Sequence, residues 1–96
     1  MNTHIVSGPV SLETFATARQ AGEAAIAAAG GEPLTFDMSR LESTNSLAVA
    51  LLTAWFRAAD SAGCEVRFAD LSAELRQVVE FSGLADVLPI AAAPER

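Results

Sequence analysis

Ninety-six residues, 51% of them apolar, suffice for one domain with a real core and leave no room for two. The formal net charge is −6, from twelve acids against six arginines with no lysine. The arginines are scattered, so the basic patch that nucleic-acid binding requires is missing and that class of function is excluded.

The chain opens on a short apolar segment, His4-Ile5-Val6, followed by Ser7-Gly8-Pro9. Ser11 is then expected to cap a first helix that ends at Gly30-Gly31, because Phe15, Ala18, Gly22 and Ile26 recur every three to four residues. The glycine pair reads as a helix C-cap. Pro33 restarts the chain as a strand, Leu34-Thr35-Phe36-Asp37-Met38, and a turn rich in hydroxyl side chains leads to a second helix that runs to about Ala62 and closes at Gly63. Val66-Arg67-Phe68-Ala69 alternates like a strand. Ser72 is expected to cap a third helix with Leu75, Val78 and Val79 on one face, ending near Ser82-Gly83. Val87-Leu88-Pro89-Ile90 is expected to add a short edge segment, and residues 91–96 a flexible tail after a single domain over residues 1–90. Alternating strands and helices with short linkers predict a small α/β fold, a mostly parallel sheet of about four strands with three main helices.

The usual enzymatic constellations are missing. There is no phosphate-binding glycine loop and no paired His/Cys spacing for zinc, and a Ser-His or Cys-His nucleophilic pair would need His4, the only imidazole, to reach across the fold, so neither metal nor cofactor is expected. Cys64 has no disulfide partner and reads as a small buried hydrophobe. The sequence shows no signal-peptide pattern, and its longest strongly apolar stretch, residues 47–56, is shorter than the about 20 residues that span a bilayer. A cytoplasmic setting is expected, with room for service to a membrane complex from its inner face.

The candidate site is the strand-to-helix turn from Asp37 to Ala50. Ser46 falls at the start of the second helix, where main-chain N–H groups lack partners and the helix dipole is positive. Asn45 can cap that helix, and Asp37 reads as an acceptor for turn amides. Leu47, Ala48, Val49, Ala50, Leu51 and Leu52 place apolar side chains on every face of the helix, so either the helix is enclosed or part of it meets a partner. For Trp55 both readings stay open: core packing against Phe36 and Phe68, or an interface anchor.

Taken together these residues resemble the STAS domain, the small α/β fold of anti-sigma-factor antagonists and cytoplasmic transporter modules. Asp37-Met38-Ser39-Arg40-Leu41 is similar to the family's first motif, and counting on without gaps puts Asn45 at its second aspartate and Ser46 at its phosphorylatable hydroxyl. Leu47-Ala48 stands where the family has a small residue and glycine, and the chain begins after the family's extra first strand. The ending Asp86-Val87-Leu88-Pro89 looks like that of the STAS subunit of Mla-type phospholipid ABC transporters. The resemblance implies a non-catalytic adaptor that binds the ATPase subunit of such a transporter through Ser46, with Asp37, Ser39, Thr44, Asn45, Leu47, Ala48, Val49 and Ala50 forming the turn and contact surface. The alternative it implies is an anti-sigma-factor antagonist that binds a kinase-type anti-sigma factor and is switched by phosphorylation of Ser46.

Overall fold

Strands and helices alternate along the chain in the computed structural model, which describes residues 2–91. The elements are β1 (Asn2–Gly8), α1 (Phe15–Ala29), β2 (Leu34–Leu41), α2 (Ser46–Ala62), β3 (Val66–Ala69) and α3 (Ala73–Phe81). Asn45 caps α2 by accepting from the Ala48 N–H at 3.1 Å, and Gly63 ends it at φ 69°, a left-handed conformation that glycine adopts without strain. Ser72 caps α3 in the same manner through the Leu75 N–H.

The sheet has the order β1-β2-β3, with both pairs parallel. Each strand step goes the same way across the sheet, and right-handed crossovers therefore put the connecting helices on one face. Burial follows that topology. Val6, Leu34, Phe36, Met38, Val66 and Phe68 point into the helix layer and are buried, while Thr3, Ile5, Ser7 and Arg67 on the other face are exposed. The molecule has two layers, with its core between the sheet and the helices.

Trp55 of α2 sits at the centre of that core. Its ring stacks on Phe36 with centroids 4.6 Å apart and planes 11° apart, and Phe36 in turn lies 5.3 Å from Phe68. The indole N–H donates to the Arg19 carbonyl of α1 at 3.0 Å, so the one polar atom of the ring is satisfied. α1 comes this close because it presents Gly22 to the indole; a Cβ at that position would run into Nε1 and Cε2. Burying a ring of this size removes about 150–250 Å² from water, worth at most about 4–6 kcal/mol. Core packing is thus the outcome for Trp55, and a fully enclosed ring cannot anchor an interface.

Two expectations need correction. The first helix starts at Phe15 with Thr14 as its N-cap residue, because Ser11 closes a separate turn: its hydroxyl accepts from the Thr14 N–H and its carbonyl from the Phe15 N–H. Among the described residues the sheet has three strands where about four were expected, since there the C-terminal segment pairs with β3 only at the Phe68–Ile90 bridge. Ala91, placed in the tail from sequence, donates its N–H to the Phe68 carbonyl and accepts from Arg76 at 2.7 Å. Residues 92–96 lie outside the described residues. Cys64 is buried, as its position before β3 suggested, with its thiol directed at the Glu32 carbonyl.

Candidate functional site

The C-terminal ends of parallel strands are where open α/β sheets carry their sites, because connecting loops converge there beside helix N-termini. β1 ends at Gly8 with φ 80°, and its carbonyl accepts from the Glu42 N–H at 3.1 Å just beyond β2. Ser43 then fastens the two loops together. Its hydroxyl accepts from the Val10 N–H at 2.7 Å and donates to the Val10 carbonyl at 3.4 Å. The loop after β1 and the turn before α2 therefore form one unit, and Ser46 projects from it.

Ser46 is the first residue of α2 and is exposed, with no hydrogen bond from its side chain to another described residue. The first turn of α2 has no acidic side chain, so nothing within it offsets the positive end of the helix dipole. Thr44 is half-buried and Asn45 exposed beside it, with the Asn45 side chain committed to the cap. Leu47 is half-buried against the core, and Ala50 is exposed one turn on.

Ala48 and Val49 are different. Both are buried in the core, so they fix the direction of the helix and present no contact surface of their own. The helix was read as apolar on every side, and the structure divides it: Ala48, Val49, Leu51, Leu52, Trp55 and Ala59 face inward, and Leu47 and Ala50 remain toward solvent near its start.

Asp37 and Ser39 belong to β2 and bond to each other. The parallel ladder slips between Ile5 and Ser7, where two residues of β2, Met38 and Ser39, oppose the single Val6. Such a bulge frees main-chain groups from the ladder, and the Asp37 carboxylate accepts the Ser39 N–H at 2.9 Å. That main-chain bond chiefly, then the Ser39 side chain and the nearby Arg40 charge, hold the Asp37 carboxyl below its ordinary range. The role expected of Asp37, an acceptor of local amides, is the one it has. No hydrogen bond joins this pair to Ser46 among the described residues.

His4 lies on β1 edge-on to Phe36 and Trp55, at 5.6 and 6.3 Å between centroids, so the imidazole faces the aromatic core. Among the described residues no three His, Cys, Asp or Glu side chains converge as a metal site.

A family model described as Mlab, STAS domain, matches residues 5–89. The chain belongs to the Mlab STAS-domain family. Its fold is similar to that of a chain in the Acinetobacter MlaFEDB complex solved in an ATP-bound conformation, with a TM-score of 0.82, 27% identity and coverage of 93% of both chains. Two anti-sigma-factor antagonists share the fold at 21% identity. SpoIIAA in its unphosphorylated form has a TM-score of 0.71, with 98% of this chain and 82% of that one covered, and the antagonist from Mycobacterium paratuberculosis has 0.77, with 95% and 76%. No curated protein matches the sequence. No described helix is long and apolar enough to cross a membrane.

Proposed function

We propose that the protein is a non-catalytic cytoplasmic adaptor that docks on the ATPase subunit of an Mla-type phospholipid-transport ABC complex. The observation that carries this reading is the end-to-end likeness to a chain of the MlaFEDB complex, with 93% of each chain covered. The site supports it. An exposed hydroxyl stands on a double loop that Ser43 makes rigid, with Thr44, Leu47 and Ala50 around it as the contact surface and Ala48 and Val49 behind it as support. A preformed loop of this kind loses little conformational freedom on binding.

A pull-down of the ATPase subunit tests this. Ser46→Lys and Ser46→Glu are expected to weaken capture about tenfold or more, since a long charged side chain at the centre of the contact must be desolvated. Circular dichroism and melting should stay close to wild type, because the Ser46 side chain is exposed and holds no partner. Full capture by both variants would remove Ser46 from the interface.

The second reading, an anti-sigma-factor antagonist switched by phosphorylation, is favoured by the Ser46 hydroxyl itself. A phosphate there would meet the unpaired N–H groups of a helix start. Co-purification separates the two: recovery of an ABC ATPase with its permease supports the adaptor, and recovery of a kinase-type anti-sigma factor without transporter subunits supports the antagonist.

A further inference from the structure

Among the described residues β1 is the outermost strand of the sheet on its side. β2 lies on one side of that strand, and no described strand lies on the other. An edge strand displays a row of main-chain N–H and C=O groups, which proteins commonly guard with charge, proline, a bulge or a covering element. β1 has none of the side-chain guards. Its seven residues include no proline and no Asp, Glu, Lys or Arg, the bulge in its ladder adds the extra residue to β2, and Ile5 at its midpoint is 51% exposed.

We propose that this edge pairs with the β1 edge of a second copy of the chain, antiparallel, about a two-fold axis at Ile5, so that two three-stranded sheets become one of six. Charge favours a second copy. All twelve acids and all six arginines lie beyond Leu12, so two copies of this acidic chain meet along β1 without setting like-charged side chains of the strand against each other. The strand is also complementary to itself. An axis at Ile5 sets Ile5 against Ile5 and Thr3 against Ser7 on the open face, apolar with apolar and hydroxyl with hydroxyl, and His4 against Val6 on the helix side. An edge of seven residues buries less than the about 1,200 Å² of a standard interface, so the dimer is weak and concentration-dependent. It uses a strand edge distinct from the Ser46 turn, so the transporter reading and this one stand or fall separately.

Sedimentation equilibrium on the full chain, from low micromolar to millimolar concentration, should show reversible monomer–dimer exchange. Ile5→Lys should raise the dissociation constant about tenfold or more, because the axis brings two ammonium groups opposite each other. Its circular dichroism should match wild type, since Ile5 faces solvent. Under mild oxidation Ile5→Cys should form a covalent dimer through its new thiol, whereas wild type, with its buried Cys64, and the α1 surface variant Ala16→Cys should not. A chain that stays monomeric throughout, a dimer unchanged by Ile5→Lys, or equal crosslinking through Ala16→Cys overturns the proposal. Protection of β1 amides only on adding a different protein would give the edge to that partner and overturn the second copy.

Discussion

At the scale of single residues, His4 is the side chain whose charge state is tied to folding near neutral pH. Its ring is half-buried against Phe36 and Trp55, and that burial pushes the imidazole below its ordinary pKa because the charged form loses hydration. Among the described residues no carboxylate pairs with it, and the ion pair found there, Arg19 with Glu23, does not involve it. The unfolded chain therefore binds the proton more readily than the folded one. The stability linked to His4 is complete above about pH 6.5 and is lost as pH falls below that value toward the depressed folded pKa. Melting temperature should decline between neutral pH and mild acid, and His4→Gln should flatten that decline; an unchanged slope in the variant would free His4 of the effect. Asp37 also has a lowered folded pKa, so its contribution is present above the ordinary carboxyl range and fades only in stronger acid, which separates it from His4 along the pH axis.

At the scale of elements, the packing of α1 on α2 depends on the absence of a side chain at Gly22. Gly22→Ala would gain roughly 1 kcal/mol of helix propensity. It would also drive a methyl group into the Trp55 indole and strain the bond from Nε1 to the Arg19 carbonyl, at a cost of about 1–3 kcal/mol for overpacking and about 1 kcal/mol for the hydrogen bond. The net expectation is a loss of about 1–3 kcal/mol in denaturant unfolding, and a variant more stable than wild type would show that the two helices can move apart freely. Elements with local punctuation were the legible ones: Asn45 and Gly63 bracket α2, Ser72 opens α3, and alternation alone delimits Val66–Ala69. The start of α1 was misplaced because Ser11 and Thr14 both carry hydroxyls, and an isolated turn at Ser11 has the same local signature as a cap. Ser43 was missed as the clasp of the site because its partner, Val10, is 33 residues away, a pairing that only the parallel order of β1 and β2 creates. Ala48 and Val49 were assigned to the contact surface because a helix apolar on all sides does not announce which side the sheet will cover.

At the scale of the whole molecule, the arrangement is a parallel sheet covered on one face, whereas such sheets are ordinarily covered on both. The strands are adapted to this. Strands buried on both faces run continuously apolar, but here Leu34, Phe36 and Met38 alternate with Thr35 and Asp37, and Val66 and Phe68 with Arg67. Polar members of the three strands line up across the sheet, Thr3 beside Thr35 beside Arg67, which gives a solvated outer face of mixed character. Neighbouring residues of one strand should then respond very differently to substitution. Phe68 touches the aromatic core and is fully enclosed, so Phe68→Ala should cost about 3–5 kcal/mol, enough to unfold a small domain. Arg67, one residue away and exposed, makes no ion pair or side-chain hydrogen bond among the described residues, so Arg67→Gln should fall within about 0.5 kcal/mol of wild type. Urea unfolding of both variants measures the difference directly, and a cost for Arg67→Gln approaching that of Phe68→Ala would mean that the outer face is packed in the isolated protein, contrary to a two-layer fold.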